Sequence, residues 1–277
     1  MSLASALADN GLSGHRMTFK DKVVAITGAA GGIGQSLCRL FLDEGAKIAA
    51  IDKKASLEGL AAELNADAKR FAHAVADISD PHEVERAFAL LTRALGPVDI
   101  LVNNAGGSTH RTLARTDPAG WRQNIEGNLD NAYYCAHAVI PGMQAKRSGV
   151  IINIGSVNGL SALGDPAYSA AKAAMISLTR SLAQEYGPYG VRANIVLPGT
   201  VRTPLWEKRA AKDPKVLETL RRWYPLGRVV EPVDIARAVT FLASDAASAI
   251  TGVALPVDCG LTSGNILMRR DLTLEDL

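Results

Sequence analysis

The stretch Val23-Val24-Ala25-Ile26-Thr27-Gly28-Ala29-Ala30-Gly31-Gly32-Ile33-Gly34 decides how this chain folds. A β-prone apolar run enters a glycine-rich turn. Beyond the turn, Ile33, Leu37, Leu40 and Phe41 stand at i, i+4, i+7 and i+8, one apolar stripe of a helix that stops near Gly45. A second apolar run, Lys47 to Ile51, follows at once. Strand, turn, helix and strand within residues 23–51 make a βαβ unit, in which a crossover helix joins two parallel strands. The turn has the spacing G-x-x-x-G-x-G through Gly28, Gly32 and Gly34, with Gly31 and Ile33 between. Bare backbone at a helix N-terminus can receive a pyrophosphate, because no β-carbon holds the N–H groups away from it. The plainer alternative for the same residues is a tight strand-to-helix turn.

Outward from this unit the alternation continues. Strand-like runs recur at Lys69 to Val75, Ile100 to Asn103, Val150 to Ile154, Arg192 to Leu197 and Val253 to Val257, separated by helix-length amphipathic segments. The expected class is α/β: a single doubly wound Rossmann-type domain over 19–260, with a seven-stranded parallel sheet and helices on both faces. Residues 1–18 are read as a flexible N-terminal extension and 261–277 as a C-terminal tail. Thr200 to Pro232 breaks the alternation and carries Arg202, Lys208, Arg209, Lys212, Lys215, Arg221 and Arg222 beside Trp206, Trp223 and Tyr224. A connection of that length is expected to be a lid.

Composition narrows the partners. Thirty Lys+Arg against 28 Asp+Glu leave a net charge of +2, too little for a nucleic-acid footprint, while 48% hydrophobic residues in 277 suit an ordinary core. Cys38, Cys135 and Cys259 lie far apart with no C-x-x-C spacing, so reduced thiols and no structural zinc are expected. His15, His73, His82, His110 and His137 form no H-E-x-x-H, and a metal role is not expected. Apolar runs fall short of the roughly 20 residues of a membrane span, and residues 1–16 make a poor signal peptide. The expectation is a cytoplasmic protein with a small-molecule substrate, no nucleic acid and no membrane.

Asp52 ends the second strand, where a carboxylate can accept hydrogen bonds from an adenosine ribose and would repel a 2′-phosphate. NAD is therefore favoured; the neighbouring Lys53 and Lys54 leave NADP open, and a helix N-cap is the structural alternative for Asp52. Tyr168 and Lys172 fall one helical turn apart on one face, and Ser156 follows the strand-like run ending at Ile154, the sheet end at which such folds place ligands. Singly, each of these residues has an ordinary packing or capping role; together they bring a hydroxyl, a phenol and an ammonium to one place.

At this point the sequence resembles the short-chain dehydrogenase/reductase family, from about Phe19 to Gly260. The ordered motifs are Thr27-Gly28-x-x-x-Gly32-x-Gly34, Asp77-Ile78, Asn103-Asn104-Ala105-Gly106, Asn128 within Gly127-Asn128-Leu129, Ile154-Gly155-Ser156, Tyr168-x-x-x-Lys172, Pro198-Gly199 with Thr203, and Ile250-Thr251-Gly252. The resemblance implies a catalytic tetrad of Asn128, Ser156, Tyr168 and Lys172. It implies Asp77 and Ile78 near adenine, Asn104, Ala105 and Gly106 along the dinucleotide, and Pro198, Gly199, Val201 and Thr203 toward the carboxamide. It also implies a homotetramer, with helices from about Thr116 and Tyr168 pairing between subunits. The implied activity is NAD(P)-dependent interconversion of a secondary alcohol and a ketone. Tyr168 would be the general acid or base, Ser156 would orient the substrate oxygen, and Asn128 would hold a water leading to Lys172. Bringing a phenol from a pKa of about 10 to near 7 takes roughly 4 kcal/mol of phenolate stabilisation, expected from Lys172 and the oxidised nicotinamide. A sugar or polyol is the first substrate expectation, a 3-oxoacyl thioester the second, and a non-catalytic dinucleotide sensor the rival from another class. Two departures stand out: the Ser156 to Tyr168 segment is one residue shorter than is common, and Asp258-Cys259-Gly260 carries a thiol where glycine is usual.

Overall fold

The computed structural model describes residues 18–108 and 112–274. Seven strands form one parallel sheet in the order β3-β2-β1-β4-β5-β6-β7. They are β1 (Val23–Thr27), β2 (Lys47–Asp52), β3 (Phe71–Val75), β4 (Ile100–Asn103), β5 (Gly149–Ile154), β6 (Val191–Pro198) and β7 (Ala254–Val257). The order reverses between β1 and β4, so their connections leave the sheet in opposite directions and open a crevice at the carboxyl ends of the strands. Every expected strand is present: β1 and β4 keep their expected ends, and the others move by one or two residues.

Side-chain alternation explains the two faces. On β1, Val24 and Ile26 join Ile48 and Ala50 beneath Phe41, Leu37 and the buried face of Pro232–Ala243, whereas Val23 and Ala25 join Ala49 and Ile51 against Phe88, Leu91, Val139 and Met143. A strand buried on both faces must be apolar at successive positions, which is why these runs show no polar alternation. Helix α1 (Gly32–Asp43) and the Pro232–Ala243 helix cover the first face. Helices α2 (Pro81–Leu95), α3 (Pro118–Ile125), α4 (Asn131–Lys146) and α5 (Pro166–Tyr186) follow in the chain, and α2, α4 and α5 supply residues to the second core. Asp80 caps α2, and Asp117 caps α3, each accepting a backbone N–H of the first turn ahead of a proline.

Between β6 and the helix at Pro232 lie α6 (Pro204–Ala210) and α7 (Val216–Arg221); that helix is α8 (Pro232–Ala243), and α9 (Ile266–Thr273) gives the expected tail a helical turn structure of its own. The segment expected to be a lid is tied at its base. Val201 pairs with Val230, Arg202 N–H donates to Val230 O at 2.8 Å, and Val230 N–H donates to Thr200 O at 2.9 Å. Cys259 adopts φ +52°, the left-handed conformation that accounts for glycine being usual there; Asp258 holds the turn by accepting from Gly260 N and from both Thr262 N and Oγ1. Among the described residues no helix is long and apolar enough to cross a membrane, and no His/Cys/Asp/Glu group has metal-ligand geometry. The N-terminal extension up to residue 17, His15, His110 and Arg111 lie outside the described residues.

Candidate active site

The glycine turn and the loop after β4 are locked together. Thr27 Oγ1 accepts from the N–H groups of Asn104 and Ala105, both at 3.0 Å, and Asn104 Nδ2 donates to Thr27 O and Gly28 O at 3.0 and 3.1 Å. Asn104 thus acts as a staple between two strand ends. A β-carbon on Gly34 would stand 2.2 Å from Gly28 O and 2.7 Å from Ala29 Cα, so α1 rests directly on the turn. Gly34 does not face the crevice; it sets the helix distance. Gly34→Ala is expected to destabilise the fold by about 2 kcal/mol or more, because both obstructing atoms are backbone, and a urea titration measures it.

A cleft of about 750 Å³ opens at these strand ends. Gly28, Gly31, Gly32, Ile33, Asp52, Asp77, Ile78, Asn104, Ala105, Gly106, Asn128 and Thr203 all line it. Lys53 and Lys54 line it as well. The Asp52 carboxylate is buried and accepts from Ala30 N at 3.0 Å and Lys54 N at 3.1 Å, which fixes it between the turn and the loop after β2. Hydrogen bonds from Ser79 N and Oγ hold the Asp77 carboxyl below the usual range, with a smaller contribution from the charge of Lys53. These residues fit a dinucleotide: bare backbone at the α1 N-terminus, an acid one strand across, and a polar ledge at Asp77.

Of the four residues expected to be catalytic, Asn128 and Lys172 meet at Gly106, which lines this cleft. Gly106 has φ +152°, and a β-carbon there would lie 2.6 Å from Asn128 Oδ1 and 3.4 Å from Lys172 Nζ. Lys172 Nζ donates to Ile154 O at 2.8 Å, approaches Met175 Sδ at 3.4 Å and stands 5.6 Å from the centre of the Tyr168 ring. Ser156 Oγ accepts from Asn158 N at 3.2 Å and donates to Asn158 Oδ1 at 3.3 Å, and it lies close enough to the Tyr168 phenol to lower its pKa, so the shortened segment has not separated them. The segment closes through Asp165, at φ +41°, whose carboxylate caps α5 by accepting from Tyr168 N and also accepts from Ser108 Oγ at 2.7 Å.

Asn128 sits in a π-turn over Glu126–Asp130, between α3 and α4. Its Nδ2 donates to Asn124 O and Gly107 O, and its Oδ1 accepts from Gly107 N, all at 2.9 Å. Both amide hydrogens are therefore spent on backbone, and the side chain's first effect is to hold the loop after β4. Electrostatics at rest run against the expected activation. Burial pushes the Tyr168 phenol up, the Ser156 hydroxyl opposes this, and the Asp165 charge adds to the rise. Burial likewise draws Lys172 down to about 7. The protein alone keeps the proton on the phenol.

Ser156, Tyr168, Lys172, Pro198, Gly199 and Val201 are not among the residues that line the cleft. Pro198 ends β6, a β-carbon on Gly199 would lie 3.2 Å from Asp258 Cα and Tyr224 Cε1, and Val201 is buried in its pairing with Val230. The last three build the base of the segment between β6 and α8. Tyr224 is buried too, and its hydroxyl accepts from Thr200 N at 2.9 Å; it is an anchor. Trp206 and Trp223 carry the guanidinium groups of Arg209 and Arg222 at 4.6 and 5.1 Å. His137 stacks loosely on Tyr133 with ring centres 5.9 Å apart, the packing role its spacing predicts.

Comparison with known proteins agrees with this geometry. A family model described as enoyl-(acyl carrier protein) reductase matches residues 28–262. An uncharacterized oxidoreductase of Schizosaccharomyces pombe is 41% identical over 263 residues, 94% of this chain and 98% of the relative. Galactitol 2-dehydrogenase (L-tagatose-forming) of Cereibacter sphaeroides is 41% identical over 243 residues, 86% of this chain and 94% of the relative. Among solved structures, an oxidoreductase of the short-chain dehydrogenase/reductase family from Burkholderia thailandensis superposes with a TM-score of 0.87 at 48% identity, covering 92% of this chain and 98% of that one. With the glycine turn, the tetrad and the strand order in one frame, the chain belongs to the short-chain dehydrogenase/reductase family and is an oxidoreductase enzyme.

Proposed function

We propose that the protein interconverts a secondary alcohol and a ketone with NAD as its preferred dinucleotide. The observation that carries the reading is the grouping of buried Ser156 and Lys172 with half-buried Tyr168, Lys172 lying beside Gly106 in the lining of a cleft that also includes the Asp52 carboxylate. When bound, the nicotinamide supplies or accepts the hydride and, oxidised, adds a positive charge. Gly28, Gly31 and Gly32 would hold the pyrophosphate, and Asp52 the ribose.

In carbonyl reduction the developing alkoxide needs a proton from a group within hydrogen-bond reach, and Tyr168 is that acid. Its resting state is the right one, since burial and Asp165 keep the phenol protonated. Ser156, close to the phenol, orients the substrate oxygen and stabilises charge there. Lys172 stabilises the phenolate left behind, and its own proton is loosely held because burial disfavours the ammonium. Asn128 keeps the loop bearing Gly106 and Gly107 against the site, with one lone pair of Oδ1 left for a water. For oxidation of the alcohol the same groups run in reverse.

A sugar or polyol is the substrate class we favour. Ser108 and Asp165, bonded to each other beside the start of α5, make that end of the site polar, and the galactitol dehydrogenase is a relative of similar length. A 3-oxoacyl thioester is the second reading, in keeping with the description of the matching family model. A homotetramer is the assembly we favour: Trp121 on α3 and Tyr133 on α4 leave about two fifths and one half of their surface exposed, apolar area that subunit pairing would cover. Light scattering of the purified protein tests it. Three free cysteines, two of them buried, suit the reducing cytoplasm in which we place it.

The deciding experiment is a fluorescence titration with NADH and NADPH of the wild type and Asp52→Ala. The expected result is a preference for NADH that falls by roughly tenfold in the variant, about 1.4 kcal/mol, as two ribose hydrogen bonds are lost and repulsion of a 2′-phosphate is relieved. Binding of neither dinucleotide would overturn the reading. A preference for NADPH would assign Lys53 and Lys54 the leading part.

A further inference from the structure

A second groove, of about 570 Å³, lies between α7 and the C-terminal helix α9. Arg221, Arg222, Arg269 and Arg270 line it, with Glu218 the single acid among the lining residues. Four guanidinium groups around one concavity repel one another unless something anionic lies between them. Arg270 already has a partner. The other three form no ion pair among the described residues. Arg221 donates from Nε to Gly227 O at 2.8 Å, which fixes its guanidinium plane and leaves the terminal N–H groups for another acceptor. Arg222 is steadied over the Trp223 ring. These groups are held in place ahead of any ligand, and planar forks of this kind match the oxygens of a phosphate group two at a time.

The groove shares no residue with the dinucleotide cleft. Its floor includes Tyr224 and Pro225, which belong to the base of the segment between β6 and α8: Tyr224 accepts from Thr200 N, and Pro225 packs against Gly260, its Cγ 2.8 Å from where a β-carbon would stand. We propose that this groove binds a small multivalent oxyanion of the phosphate class, which bridges α7 to α9 and so ties that segment to the C-terminal tail. Nothing in the reaction chemistry calls on these arginines, so the proposal stands apart from the assignment of the active site.

Calorimetric titration of the full chain with inorganic pyrophosphate, at ionic strength matched by sodium chloride, tests it. One ion per chain is expected to bind with or without saturating NADH. Arg222→Gln with Arg269→Gln should weaken binding at least tenfold, while the Lys pair at the same positions should lose less. Both side chains are exposed, and should the double variant fail to fold, either single glutamine variant carries the comparison. Absence of binding, binding displaced by NADH, or binding undiminished in the glutamine variants would each overturn the proposal; the second would put the ion at the glycine turn.

Discussion

Tyr168→Phe is expected to lower kcat by ~10³–10⁴-fold while leaving dinucleotide binding within a factor of about two. The ring is packed and the exchange keeps its shape, so the fold is retained. Only the hydroxyl is lost. Without it the alkoxide loses its acid, and Lys172 is already committed to Ile154 O and Met175. Single-turnover reduction of a ketone substrate with a dinucleotide titration beside it measures both quantities. Turnover within tenfold of wild type would move the acid to another residue.

The second large effect separates stability from activity. Lys172 is buried, and desolvation draws its pKa from 10.5 to about 7. Because the folded-state value is lowered, the unfolded chain binds more protons between about pH 7 and 10.5, and this group makes the wild type more stable as pH rises through that window. Lys172→Met fills the same space without the charge. We expect it to raise stability by about 2 kcal/mol at pH 7, after loss of the bond to Ile154 O, with the advantage shrinking toward pH 10. Activity should fall by ~10²-fold or more, as the phenolate loses its nearest cation. Urea titrations at pH 7 and pH 9.5 check the first part: a variant less stable than wild type at both would show that the lysine's contacts outweigh its desolvation.

Much of this architecture is legible in the residues because the inner strands are buried on both faces and the long helices packed on them on one. Val23 to Thr27 and Val150 to Ile154 have no soluble alternative to a central strand, and the glycines of the turn announce where α1 must touch β1. The tetrad is legible only as an ordered set of motifs, since the approach of Asn128 and Lys172 to Gly106 depends on contacts far apart in sequence. Other features leave no local signal. The π-turn at Glu126–Asp130 arises where α3 meets α4, and its composition does not distinguish it from a helix. Tyr224 reads as one aromatic among several in a basic segment, and its burial follows from a hydroxyl that satisfies Thr200 N across the base of that segment. The chain from Asn103 through Asn153 to Thr179, which pins β4, β5 and α5 in register by hydrogen bonds of 2.9 and 2.8 Å, involves polar residues that alternation alone would have turned toward solvent.

The segment between β6 and α8 is pinned at both ends. Val201 and Val230, Thr200 and Tyr224, and the contact of Thr203 and Pro204 with Gly32 close the segment into a loop whose two ends are set by the sheet and the glycine turn. What lies between, from Trp206 to Trp223, is mostly exposed and adds nothing to either main core. That stretch is a cassette: mutation and recombination can rewrite it while both cores and the glycine turn are inherited intact.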